Sequence, residues 1–189
     1  RFYGTASTRI CVLIDITYID KGNDVNNLHK IRIPEGVKSI TSITPLYNSS
    51  EYNIQEINLP STLEMCKGLS EIEGLVAIDI NPNNNILDSR DNCNAVIETA
   101  TNTLISACST TIIPSTIEHI CDSAFYRTQY TQDVLSIPAS VKTIGKHAFT
   151  GISKTGWEAL QIEFSPSSQL TVPLSSNRSS TDCTSTSWD

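Results

Sequence analysis

The stretch SIPASVKTIGKHAF (residues 136–149) repeats IIPSTIEHICDSAF (residues 112–125), with starts 24 residues apart (136 − 112). Ile113, Pro114, Ile120, Ala124 and Phe125 return as Ile137, Pro138, Ile144, Ala148 and Phe149, and Val141 answers Ile117. The polar residues between them change: Lys142 stands for Glu118, Lys146 for Asp122 and His147 for Ser123. A chain that fixes its apolar residues at such a period is reusing one packing unit, in which the fixed residues are core and the variable ones surface.

Other copies lie on both sides. IRIPEGVKSI (residues 31–40) and INLPSTLEMC (residues 57–66) carry the frames Leu28-x-x-Ile31-x-Ile33-Pro34 and Ile54-x-x-Ile57-x-Leu59-Pro60. Leu75, Ile78 and Ile80 repeat the frame with Asn81 in place of proline. Cys108, Thr111 and Ile113 follow, then Gln132, Leu135 and Ile137, and finally Ile162 and Phe164. The terminal apolar positions are 33, 59, 80, 113, 137 and 164, giving intervals of 26, 21, 33, 24 and 27.

Each unit predicts its own local structure. Apolar residues alternating at period two share one face of a short strand. Proline lacks an N–H and closes the strand. Val37 and Ile40, Leu63 and Cys66, Ile117 and Ile120, and Val141 and Ile144 then turn inward three residues apart, on an irregular or 3₁₀ return segment. Ala124-Phe125 and Ala148-Phe149 plug the back. No such unit buries its apolar face alone, whereas stacked units bury one continuous core, so the expected fold is a solenoid of parallel strands.

Composition limits the function. The 189 residues suffice for one large domain or two small ones. A net charge of −7 without any basic run argues against nucleic acid. No apolar stretch reaches the length of a membrane span. Nothing signal-like follows Arg1, so a leader would precede this sequence. The cysteines, at 11, 66, 93, 108, 121 and 183, form no CxxC pair, which speaks against zinc. Cys66 and Cys108 occupy slots held elsewhere by Ile or Leu and are expected to be buried, reduced thiols.

The pattern L-x-x-I-x-I-P-x-x-V-x-x-I-x-x-x-A-F resembles the BspA-type leucine-rich repeat of bacterial surface proteins. The segment DSRDNCNAVIETATNTLISACSTTIIPSTIEHICDSAF (residues 88–125) is similar to a stretch common in such proteins of gut anaerobes. The resemblance is strongest over residues 75–149, extends over 28–170 and is absent at both ends. It implies a right-handed curved solenoid, an extracellular or cell-surface location by secretion or lipid anchoring, adhesion or recognition of a protein, and no catalytic residues or cofactor. The sequence departs from the pattern at TSITPLY (residues 41–47), KGLSEIEGL (residues 67–75) and SSQLTVPLSSNRSSTD (residues 167–182), where the Ala-Phe plug is missing.

Three segments are expected: an N-terminal β cap over 1–27, the repeats over 28–164, and a Ser/Thr-rich C-terminal segment over 165–189. The cap is read from Ile10, Val12, Ile14, Ile16 and Tyr18 alternating on one face. Within the long interval, NAVIE and NTLIS flank a turn at residues 99–102 and predict a hairpin insert at about 94–105. It reads better as a structural insert than as a binding loop.

Candidate chemistry is sparse. His29, His119 and His147 fall at surface positions in separate units, without a motif partner. Asp79, Asn81 and Asn83 match the first alternate ligands of a calcium loop, but Asn84 replaces the glycine and Arg90 the final glutamate, so an Asn-rich turn is the better reading. What remains is the outward strand face. Its first column is Lys30, Glu56, Ala77, Thr110, Val134 and Gln161. Its second is Arg32, Asn58, Asp79, Ile112, Ser136 and Glu163. Ile112 and Val134 form an apolar centre with a charged rim, which suits recognition of a protein such as a host or matrix protein. The rival reading is a passive stalk or spacer. A carbohydrate module has little support, because neither Trp157 nor Trp188 lies in the columns.

Overall fold

The structure is a computed structural model that describes residues 30–40, 54–156, 158–167 and 170. The segments before residue 30 and after 170, and with them the expected cap, His29 and most of the C-terminal segment, lie outside the described residues.

Five turns of the chain contribute a front strand, and these stack in parallel within two sheets. β1 (Lys30–Arg32), β3 (Glu56–Leu59) and β5 (Ala77–Ile80) form one sheet. Ile31, Ile57 and Ile78 are in register, as are Leu59 and Ile80. β11 (Val134–Ile137) and β14 (Gln161–Phe164) form another, with Leu135 opposite Ile162 and Ile137 opposite Phe164. The inward residues of β1, β3, β5 and β11 are buried, as period-two alternation requires. After the strands a carbonyl turn repeats: the amides of Val37, Leu63, Ile117 and Val141 donate to the carbonyls of Pro34, Pro60, Pro114 and Pro138.

The return segments are also strands. β2 (Ser39–Ile40) pairs with β4 (Met65–Cys66), and β9 (His119–Ile120) with β12 (Thr143–Ile144), all in parallel. The expected irregular or 3₁₀ path is thus straightened by backbone pairing between successive turns. A third layer pairs β10 (Gln129–Tyr130) with β13 (Ser153–Lys154).

The back is plugged as the repeat predicts, with one correction. Ala124 and Phe125 are fully buried, and the Phe125 amide donates to the Ala148 carbonyl at 2.8 Å. Phe149, expected to be buried, is only partly so, although its ring centroid lies 5.3 Å from that of Phe125. The cause is position: Ile144, Phe149, Ile152, Leu160, Ile162 and Leu170, the core's partly buried members, all belong to the last described turns. At KGLSEIEGL, a 3₁₀ turn over Leu69–Glu71 starts from Gly68 (φ 81) and drives Leu69 and Ile72 into the space that Ala-Phe fills elsewhere. TSITPLY lies outside the described residues. Gly145 meets a different demand, since a Cβ there would stand 2.3 Å from the backbone nitrogen of Asp122.

The long interval forms its hairpin. β7 (Ala95–Glu98) and β8 (Thr103–Ala107) are antiparallel, turning through Asn102 at φ 53. β6 (Leu87–Asp88) pairs with β7, while β8 runs parallel to β9, so the back sheet reads β12-β9-β8-β7-β6. Its strands are almost wholly buried, so the hairpin is a slab of core and not an appendage.

Cys66, Cys93 and Cys108 are free and buried, and burial pushes their thiols up from the ordinary value. Cys121 is buried and disulfide-bonded.

Candidate functional site: the outward strand face

The strand register brings the predicted columns together in two groups. Lys30, Glu56 and Ala77 stand side by side, as do Arg32, Asn58 and Asp79. Val134 lies beside Gln161, and Ser136 beside Glu163. The expected continuous sheet across Thr110 and Ile112 does not form, because the insert intervenes. The Ile112 amide donates to the Cys93 carbonyl at 3.0 Å, and the Thr111 hydroxyl and the Cys108 thiol both donate to the Asn94 carbonyl. Asn94 Nδ2 also reaches Thr110 Oγ1 at 3.1 Å. With its partners supplied by residues 93 and 94, the 110–113 segment is not a strand. The stack is kept one step earlier, where the Ser109 amide donates to Leu75 and the Thr131 amide to Ser109.

The face is therefore two short sheets flanking an irregular strip. Ile112 on that strip is 60% exposed. Val134, expected to share the exposed centre, is half-buried, and Thr110 is half-buried with its hydroxyl donating to the Val76 carbonyl. Much of the polar rim is already paired. Lys30 meets Glu56 at 2.8 Å, Asn58 Nδ2 donates to Asp79 at 2.6 Å, and Gln161 Nε2 donates to Glu163 at 2.8 Å. Arg32 is exposed and has no hydrogen-bond or ion-pair partner among the described residues.

Pairing between equivalent positions of consecutive turns recurs elsewhere, and sequence reasoning missed it. Lys38 pairs with Glu64 at 2.6 Å, and Lys142 pairs with Glu118. In both cases the residue just before one return strand meets its counterpart 26 or 24 positions away. Lys142 therefore does not replace Glu118 by free drift. The signal was present in the aligned units, as opposite charges in one column.

The remaining candidates are structural in their contacts. His119 is half-buried in β9, where its Nδ1 lies 2.7 Å from Thr143 Oγ1, its neighbour in register. His147 is exposed, at φ 57. Asn81 bonds the Asn83 amide and Glu35, and Asn84 Oδ1 accepts the amides of Ile86 and Leu87 while its Nδ2 spans the carbonyls of Pro60 and Leu63. These are the contacts of an Asn-rich turn that ties three units together. Beside it, Arg90 forks onto the Asp88 carboxylate at 2.9 and 2.6 Å and reaches Asn102 Oδ1 at 2.9 Å, clamping the hairpin turn. Among the described residues no helix is long and apolar enough to cross a membrane.

Parallel front strands, paired return strands and a through-going core define a leucine-rich-repeat-like solenoid. The BspA type Leucine rich repeat region model matches residues 1–69 and 97–163 in six copies, and the chain belongs to that family. Among solved structures it is similar to a leucine-rich repeat protein from Eubacterium ventriosum, at 19% identity and a TM-score of 0.53 over 66% of this chain and 33% of that one. It also matches the pneumococcal vaccine antigen PcpA, at 16% identity and a TM-score of 0.48 over 75% of this chain and 40% of that one. The chain thus spans a third to two fifths of the length of these structural neighbours. No curated protein matches it.

Proposed function

We propose that this chain is a non-enzymatic recognition module acting outside the cell, as an adhesin that binds a host or neighbouring-cell protein on its strand face. The observation that carries this reading is Ile112, a large apolar side chain 60% exposed on the strip between two polar sheets. Repeat solenoids bind partners on such surfaces, and a central apolar residue that loses its water on binding supplies most of the energy. Arg32, Glu56, Asp79, Ser136 and Glu163 would then act at the rim, mainly on association rate and salt dependence. The disulfide at Cys121 supports an oxidising, extracellular setting.

One observation favours a second reading, a stalk or spacer. The rim pairs Lys30–Glu56 and Asn58–Asp79 satisfy each other across turns, as a passive solvated face would.

The two separate in one experiment. Ile112→Asp leaves the fold intact by circular dichroism, because the side chain points to solvent, and it should weaken binding to an extracellular matrix or host-cell partner by at least about tenfold. Undiminished binding by the folded variant moves the site off this face. A wild-type protein that binds nothing across such a screen leaves the spacer.

A further inference from the structure

We infer that the partner surface met at Ile112 is a basic segment, in which a lysine or arginine flanks an aliphatic residue, and that the loop over residues 90–94 reads it. This rests on the strand-face reading above and names the chemistry of its partner. The loop joins the strip directly. The Ile112 amide donates to the Cys93 carbonyl at 3.0 Å, and Asn94 Nδ2 donates to Thr110 Oγ1 at 3.1 Å. Asp91 and Asn92, the residues just before Cys93, are both exposed. The hairpin's strands are core, but the loop that leads into them lies at the surface beside Ile112.

The polar groups here differ from those of the rim. Lys30 meets Glu56, Asn58 meets Asp79 and Gln161 meets Glu163, whereas the Asp91 carboxylate and the Asn92 amide have no ion pair or hydrogen bond among the described residues. Arg90 is next in the chain, but its guanidinium is forked onto Asp88 and held by Asn102. Arg32, the face's unpaired cation, stands away in β1. A carboxylate without a cation thus lies beside the most exposed large apolar side chain of the described residues, in a chain of net charge −7. A cationic side chain arriving there gains an ion pair and breaks none, while its aliphatic neighbour covers Ile112. The loop is also set in advance, since the Cys93 amide donates to the Arg90 carbonyl and the Ala95 amide to the Ser89 hydroxyl. Little ordering is then left for binding to cost.

Titration of the full chain with short peptides, read by amide shifts in NMR, tests this. The probes carry Lys-Leu-Lys, Glu-Leu-Glu or Lys-Ser-Lys between Gly-Ser arms. Lys-Leu-Lys is expected to move the signals of Asp91, Asn92 and Ile112, and the other two to bind at least about threefold more weakly. Asp91→Asn keeps the side chain's shape and suits the left-handed backbone at φ 58. It should weaken Lys-Leu-Lys at least about threefold, with a larger effect at low salt. Glu73→Gln removes an exposed carboxylate elsewhere and should leave that affinity unchanged, which separates the site from general attraction to an acidic chain. Equal binding of the three peptides, shifts confined to other residues, or an Asp91→Asn variant that binds as well as wild type overturns the inference. A host or matrix partner lost on Ile112→Asp but retained on Asp91→Asn also overturns it, and leaves the strand-face reading standing. If Lys-Leu-Lys binds at Asp91 and Ile112 while no host or matrix protein binds the chain, the patch is supported and the adhesive role alone fails.

Discussion

Phe125 and Phe149 hold the same place in consecutive turns, but their surroundings give them different weight. Phe125 is fully buried between the turns on either side, so Phe125→Ala leaves a cavity and costs about 3–5 kcal/mol. Phe149 is partly buried near the last described turn, and Phe149→Ala costs roughly half as much, in proportion to the apolar area it hides. Chemical denaturation of the two variants checks the ranking, and equal losses would mean that the last turn is as well covered as the middle. Asp88 shows how a polar residue is held. Burial alone would raise its carboxyl, but hydrogen bonds from Arg90 and Thr99 outweigh this and hold it below the usual range. With its folded value lowered, its contribution is present above the unfolded value of about 3.9 and is lost as pH falls through the lower folded one. Asp88→Asn is therefore expected to flatten the acid limb of a stability–pH profile and to leave its slope near neutrality unchanged.

Among the elements, the front strands, the proline turns and the hairpin were legible in the sequence, because alternation, Ile-Pro junctions and the turn ending at Asn102 are local signals. The break in the front sheet was not. It depends on where the insert sets Cys93 and Asn94 against residues 108–112, and no periodicity within either segment specifies that contact. The half-burial of Val134 was missed for the same reason, since a column drawn from the sequence assumes an unbroken sheet. The charge pairs were missed because each partner looks like an ordinary surface residue in its own unit. Their effect can be tested by exchange. Lys142→Glu sets two carboxylates in one column and lowers the melting temperature. Adding Glu118→Lys restores it, more fully at low salt than at high salt. A double variant no better than the single one would show that these pairs contribute nothing to the stacking of turns.

In the whole molecule, the hairpin fuses the early turns to the late ones. Its strands lie within the back sheet, Ser106 accepts the Leu69 amide of the second unit, and Asn84, in the turn ahead of the hairpin, bonds the Pro60 and Leu63 carbonyls of the same unit. The three free thiols report on this block, since Cys93 and Cys108 flank the hairpin and Cys66 lies on the return strand before it. All three are expected to resist alkylation in the native state and to react together on unfolding. Early labelling of Cys66 alone would reveal separate opening of the first turns. The paired columns also bear on how such an array can lengthen. Lys38 faces Glu64, and Glu118 faces Lys142, so a tandem duplication of one unit would set lysine over lysine or glutamate over glutamate at the new junction. Duplicating two adjacent units preserves the alternation. Growth by unequal recombination is thus favoured in steps of two coils wherever such a pair stands, and these four units each carry in one charged side chain a mark of which neighbour they can follow.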